Sequence, residues 1–533
     1  MIVSADPLAT QAGLQILKDG GNAIDAAVAV GFALAVTYPS AGNIGGGGFM
    51  NIHLADGRSE TIDYREKAPG AATRDMYLDS AGNFVPNRST LGYLASGVPG
   101  SVAGMLLGLE KYGTMKRDQV IAPAYTLAHD GFPILPGLAR YLNNAREYFE
   151  HFPSSKKYFA KANGEEFQEG EVWKQEDLAQ TLHRIIDNGR DGFYRGPTAE
   201  FIAAQMKQGG GLITTDDLAQ YHAIVRPPVR GTYRGYEILS MPPPSSGGIA
   251  LIQLLNILEG YDLTQYGQNS AATIHRYVEA MRRVYADRAE HLGDPDFYHV
   301  PVQWLLSKKY ADERRATIDT LHSSRSSDIS HGIPPGHESQ QTTHYSVVDQ
   351  WGNCVSVTTT LNGWFGSKVA VDGAGFMLNN EMDDFSAKPG VPNMFGALGN
   401  VANEIQPNKR MLSSMTPTIV LKEGKPFMVI GTPGGTTIIT TVMQVICNVI
   451  DFGMDIEEAI DAPRIHHQWY PDTVFYEKGG LSFDTLEKLR AMGHHMIERH
   501  GTSGLAEGII IDEKHHVYYG ATDPRGYGLA AGY

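Results

Sequence analysis

From Gly20 the chain reads GGNAIDAAVAVGFALAV, apolar almost without a break after Asn22 and Asp25. This predicts a buried helix with Asn22 as its cap, Asp25 in its first turn and small alanines that permit close packing. Three later segments, AGMLLGLEKYG, EDLAQTLHRIIDNG and SSGGIALIQLLNILEGY, place apolar residues at i, i+3 and i+4. They predict a mostly helical block from about residue 95 to 310. In ETIDYREKAPG the pattern alternates instead: Thr61, Asp63 and Arg65 fall on one side, Ile62 and Tyr64 on the other, as at the end of a strand. TTHYSVVD (342–349) and CVSVTTTL (354–361), joined by QWGN, predict a β-hairpin. FMVIGTPGGTTIITTVMQVICNVIDFG predicts a strand, a Pro-Gly-Gly turn and a helix, and GIIIDEKHHVYYGATDPRG another hairpin. Strand-rich blocks at both ends with helices between them argue for sheets sandwiched by helices, an α/β (α+β) fold without internal repeats.

Three stretches break the periodicity. Gly45 to Gly48, in GNIGGGGFMNIHL, follow a helix and precede a strand, the reverse of the order a phosphate cradle needs. They are read as a tight turn where backbone or ligand approaches closely. MPPPSSGG, Met241 to Gly248, is a rigid entry to a helix with Ser245 or Ser246 as its cap. LHSSRSSDISHGIPPGHESQQ, Leu321 to Gln341, is rich in Ser, His, Gly and Pro and predicts an exposed, mobile loop.

The 533 residues, 42% hydrophobic and 19% charged, have the composition of a globular protein with a large core. A net charge of −15 without any Lys/Arg run argues against nucleic acid and anionic lipid as partners. A small anionic substrate would need its own cationic anchor. The longest apolar run, Ala26 to Val36, is far short of the roughly 20 residues that span a bilayer. The start, MIVSADPLAT, lacks signal-peptide character, which reads as a cytosolic chain or one whose export signal has been removed. Cys354 and Cys447 make no disulfide framework, and Cys447 reads as a buried, inert thiol.

Candidate chemistry is narrow. The pairs His466-His467, His494-His495 and His515-His516 point apart on helix or strand, and no HExxH or paired-cysteine spacing supports a metal. No GxSxG elbow is present. A threonine opening a strand is ordinarily β-propensity alone, but Thr342 follows a loop that can be cut. Cleavage before it would leave an α-amine of pKa about 8 beside its own hydroxyl, so one residue would carry both nucleophile and base. The glycines of the Pro-Gly-Gly turn leave N–H groups free for an oxyanion or carboxylate.

Together QTTHYSVVD, TTTLN, NNEMDDFS, NKRMLSSMTPT, GTPGGT, DYRE, GGNAIDAAVA, NIGGGGFM and MPPPSSGG resemble the γ-glutamyltransferase (γ-glutamyl transpeptidase) family, from about residue 4 to the closing AGY. The resemblance implies an N-terminal-nucleophile hydrolase with a four-layer αββα core, cut by itself between Gln341 and Thr342 into a large subunit (1–341) and a small subunit (342–533) that stay together as one body. Thr342 would be nucleophile and Thr360 its tuning partner. Arg65, with Ser413 and Ser414, would hold the α-carboxylate of a γ-glutamyl donor; Asn362, Glu381 and Asp384 its ammonium; Gly434 and Gly435 the oxyanion.

The implied substrates are glutathione and γ-glutamyl amides, with water, amino acids or dipeptides as acceptors and no cofactor or metal. Relatives are commonly periplasmic or secreted. Alternatives within the fold are a glutaryl-type (cephalosporin) acylase or a poly-γ-glutamate-cleaving relative, and outside it an uncleaved γ-glutamyl-binding protein. One departure stands out in SAKPGVPNMFGALGN, which resembles the family's lid: Phe395 occupies the place where relatives commonly have Tyr. It cannot make a hydroxyl bond to Asn362, so shielding of the acyl-enzyme from water is expected to weaken.

Overall fold

Asn22 caps its helix as the sequence predicts, accepting the N–H groups of Ile24 and Asp25 while Asp25 accepts that of Asn22. Asp25 also accepts from Thr114 and Met115, so this acid in the first turn ties the helix to a neighbouring loop. The computed structural model describes residues 1–330, 342–388 and 390–533.

In chain order the strands of the two main sheets are β1 (Ile2–Ser4), β2 (Gly47–His53), β3 (Ser59–Asp63), β4 (Ile224–Arg226), β5 (Val229–Tyr233), β6 (Tyr236–Ser240) and β7 (Thr343–Val348). They continue as β8 (Cys354–Thr360), β9 (Thr418–Lys422), β10 (Lys425–Gly431), β11 (Glu507–Asp512), β12 (Val517–Thr522) and β13 (Leu529–Ala531). Among the described residues one sheet has seven strands in the order β13-β1-β7-β8-β2-β3-β4, and the other six in the order β12-β11-β10-β9-β6-β5. Neighbours in both run antiparallel.

Helices α1 (Pro7–Lys18), α2 (Ala23–Thr37) and α3 (Ser101–Tyr112) lie on the outer face of the first sheet. Helices α4 (Gly247–Leu258) and α6 (Thr437–Ile450) cover the second sheet, and α5 (Ala271–His291) packs against α4. Val3, Val348, Ile419, Val429 and Ile509 fill the space between the sheets. The result is the four-layer αββα arrangement: β7, β8 and β2 have both faces covered and are buried throughout, and the buried polar side chains His344, Ser346, Ser356 and Thr358 are satisfied by hydrogen bonds. No helix of the described residues is long and apolar enough to cross a membrane.

Segments before residue 331 and after residue 341 alternate within the first sheet. β1 is hydrogen-bonded on one side to β13 and on the other to β7, and β8 pairs with β2.

Two expectations change and one, the cap of α4, narrows to Ser245. The block read as helical contains β4, β5 and β6; VRPPVRGTYRGYEILS hides its alternation behind prolines and glycines. Ser246 occupies the cap position of α4 without capping it, because its hydroxyl donates to Ser413 O; Gly247 N donates instead to Ser245 Oγ. The loop from Leu321 begins tethered: Ser326 is buried, its N–H donates to Asp472, and its carbonyl accepts from the Trp469 indole. Cys447 is buried as expected, and burial holds its thiol well above the usual range.

Candidate active site

The glycine run explains how the site's strand is seated. An added Cβ at Gly46 would lie 2.1 Å from Thr360 O, and one at Gly48 2.4 Å from Thr358 O. The backbone must therefore approach β8 more closely than any side chain permits. Asn43 fastens the same place, donating to Thr360 O at 2.8 Å. The hairpin register sets Thr359 opposite Thr343, which brings Thr360 alongside Thr342 at the end of β7. Thr360 Oγ1 also accepts the N–H of Asn362, 2.8 Å away.

Arg65 lies just beyond β3. Its N–H donates to Asp63, an acid held by Arg226 and Arg410, and its guanidinium donates to the carbonyls of Met411 and Leu412. Nη2 lies 2.5 Å from Asp384 Oδ2, Nη1 lies 2.6 Å from Glu381 Oε2, and Glu66 Oε2 follows at 3.5 Å. Burial opposes the charge on Arg65, but Glu381, Asp384 and Glu66 together hold it above its usual range. Burial likewise raises the three carboxyls, Glu381 far, Glu66 to about 8 and Asp384 less, with Arg65 opposing the rise in each. Neither Glu381 oxygen has a hydrogen-bond partner among the described residues; its contact with Arg65 is a close ion pair without donor alignment.

One cleft gathers Thr342, Thr360, Arg65, Asn362, Glu381, Asp384, Ser413, Ser414, Gly435 and Phe395 along a single wall-to-wall lining. Gly434 sits one residue behind it, at φ 140°, and Gly435 has φ 57°. Among the described residues neither glycine N–H is donated to a protein acceptor. The turn they form opens α6, so unpaired N–H groups and the positive helix end face the same space. Gln341 lies outside the described residues.

The segment carrying Phe395 closes over this turn. Phe395 is buried, its ring near enough to Gly435 that a Cβ there would lie 2.7 Å away. Its carbonyl accepts from Gln468 Nε2 at 3.3 Å. Asn393 donates to Asp384 Oδ1 at 2.8 Å, and Met394 N donates to Asp383 Oδ2 at 2.7 Å. Asn362 spends its amide on Asn380 O and the Met394 sulfur. The stretch around Phe395 is therefore fastened by Asn393, Met394 and Gln468 bonds that need no hydroxyl on residue 395.

Sequence reasoning missed Arg288, which also lines the cleft, and Asp383 and Gln468, which bond the backbone of Met394 and Phe395. The proximity of Asp383 to Glu381 and Asp384 was its only local signal. In the first histidine pair both rings are engaged: His466 bonds Thr440 and Gln468, and His467 bonds Asp472. His494 lies in a buried group with His275 and Glu279. There the imidazoles hydrogen-bond each other at 2.7 Å and Glu279 pairs with Arg282 and Arg283, while His494 Nδ1 is buried without a hydrogen-bond partner among the described residues.

The sequence profile described as Gamma-glutamyltranspeptidase matches residues 9–533. The glutathione hydrolase proenzyme of Escherichia coli is 51% identical, covering 100% of this chain and 92% of that protein. A solved cephalosporin acylase from Bacillus halodurans superposes with a TM-score of 0.89 at 30% identity, over 99% of this chain and 95% of its own. Helicobacter pylori gamma-glutamyltranspeptidase superposes at 0.61 with 52% identity, over 63% of this chain and 96% of its own. With a profile spanning almost every residue and a strand-end threonine sharing one cleft with an arginine between two acids, this chain belongs to the gamma-glutamyltranspeptidase family.

Proposed function

We infer that the protein transfers the γ-glutamyl group of glutathione and related γ-glutamyl amides, through an ester on Thr342, to water or to the amine of an amino acid or dipeptide. The observation that carries this reading is the buried Glu381 carboxyl, without an aligned donor, beside Asp384 and Arg65, where an incoming ammonium would supply the positive partner that favours its ionised form. A group with both an ammonium and a carboxylate on one carbon matches that pattern of charge, whereas a glutaryl chain offers only the carboxylate.

The chain would first cut itself between Gln341 and Thr342, giving subunits 1–341 and 342–533. The freed α-amine of Thr342 would take the proton from its own Oγ1 as that oxygen attacks the γ-carbonyl. Developing negative charge on the carbonyl oxygen would be met by the N–H groups of Gly434 and Gly435. As the C–N bond breaks, the same proton would pass to the leaving amine. Water or an acceptor amine would then attack the ester and lose its proton to the α-amine, which passes it to the departing Oγ1 as the ester C–O bond breaks, releasing Thr342 with its hydroxyl and α-amine restored. By resemblance the enzyme would act in the periplasm or outside the cell.

The test pairs a γ-glutamyl anilide with its glutaryl counterpart on purified protein. The expected result is a rate at least roughly 100-fold higher on the γ-glutamyl compound, as a buried charge pair left unmatched would require. Preference for the glutaryl anilide would favour the acylase alternative. Thr342→Ala should abolish turnover and give one band of about 58 kDa on a denaturing gel where the parent gives two unequal ones. A parent that binds γ-glutamyl compounds but remains one inactive band would be the uncleaved binding protein.

A further inference from the structure

Helix α5 carries four arginines with different partners. Arg282 and Arg283 neutralise Glu279, and Arg276 lies 4.0 Å from the centroid of the Tyr266 ring. Arg288 is 6% exposed, lines the catalytic cleft and forms no ion pair among the described residues. Its Nε donates to Ser246 Oγ and its Nη2 to Ser414 Oγ, both at 2.9 Å. Ser246 in turn donates to Ser413 O through Oγ at 2.6 Å and through N at 2.8 Å. One rigid guanidinium fork thus fixes both serines of the 413–414 segment, Ser414 directly and Ser413 through Ser246.

A buried cation whose partners are only neutral hydroxyls is unfavourable unless an anion completes it. Both acids that line the cleft already face Arg65, so the positive charge beside Ser414 is not cancelled at contact distance. Burial pulls the Arg288 guanidinium below its usual range, opposed by Tyr285 and Asp384. A serine hydroxyl has one proton and two lone pairs. Ser414 spends a lone pair on Arg288, which leaves its proton to donate and polarises that O–H bond. The hydroxyl is thereby set as a donor in a cleft that has an unmatched positive charge behind it.

We propose that Arg288 is a positioning residue for the donor's carboxylate, clamping the 413–414 segment and acting through Ser414 Oγ to give that carboxylate a charge-assisted hydrogen bond. The proposal rests on the function inferred above and adds a second cation to the one supplied by Arg65. Because the carboxylate lies away from the bond that breaks, its grip should be equal in ground and transition states and be felt in KM.

The experiment is a double-mutant cycle on the γ-glutamyl anilide with Arg288→Met, Ser414→Ala and their combination, plus Arg288→Lys. Arg288→Met should raise KM roughly 10- to 100-fold with kcat within about threefold, the size expected of a charged hydrogen bond. The double variant should be no worse than the poorer single one, and Arg288→Lys should recover part of the lost affinity. A fall in kcat at unchanged KM, multiplicative effects in the cycle, or a lysine variant as impaired as the methionine one would each overturn the proposal. If Arg288→Met does not accumulate as folded protein, Arg288→Lys carries the test, with KM expected between those of the parent and Ser414→Ala. An inactive parent would refute the inferred function itself, a result separate from all of these.

Discussion

Replacing Arg65 by Gln removes the guanidinium that faces three carboxyls while keeping a side chain able to hydrogen-bond. Glu381 and Glu66 are fully buried and the Asp384 side chain is 13% exposed, so water cannot take over the role of Arg65. Two unit charges about 4 Å apart attract by about 4 kcal/mol at the effective dielectric of a protein site. Part of that returns because a charged arginine no longer has to be buried, which leaves an expected destabilisation of about 3–5 kcal/mol at pH 8.

The pH dependence gives the argument its sign. Without Arg65, the folded-state carboxyls rise further above their values in the unfolded chain, and the native state then binds more protons than the unfolded one. Their contribution is intact below about pH 4 and is lost as pH rises toward the folded values. The variant should therefore recover on acidification, by about 1.4 kcal/mol per pH unit for each carboxyl that takes up a proton. Urea unfolding of parent and variant at pH 8 and pH 6 measures this, and the gap should shrink by about 3 kcal/mol if one carboxyl responds. A gap that is equal at the two pH values, or wider at pH 6, would refute the claim that Arg65 chiefly neutralises these acids.

Gly435→Ala should lower kcat at least roughly tenfold, because the new methyl meets the Phe395 ring at 2.7 Å and φ is 57°; steady-state kinetics with an intact thermal transition would check it. Gln468→Leu removes the bond to Phe395 O together with those to Thr436 and His466, and should loosen the segment around Phe395, seen as faster proteolysis within 390–400 and a larger share of hydrolysis over transfer. Asp25→Ala strands the N–H groups of Asn22, Thr114 and Met115 and should cost about 2–4 kcal/mol in urea unfolding without changing KM.

Much of the site can be read from the chain because its chemistry sits in short, distinctive local contexts. Thr342 opens a strand after a patternless loop, Arg65 follows an alternating run, and Gly434 and Gly435 open a helix. Arg288 has no such context: it is one of four arginines on a long helix, and only folding decides which of them meets Glu279, which an aromatic ring and which Ser414. Asp383 shows the same limit, since a turn sends it to Ser89 and Met394 N while its neighbour Asp384 faces Arg65. In the fold, the Asn22 cap and the 343–360 hairpin are local and legible. The pairing of β1 with β13 joins residues more than 500 apart, and nothing in IVS, three residues long, names that partner.

That pairing bears on what happens to the molecule after a cut before Thr342. Strands from both sides of the cut are woven through one sheet, so the pieces cannot drift apart while that sheet survives. Once it is melted, however, they are two solutes, and rebuilding the sheet becomes an encounter whose yield falls on dilution. The severed enzyme would owe its persistence to the slowness of its disassembly, having lost the tether that let one continuous chain find its way back.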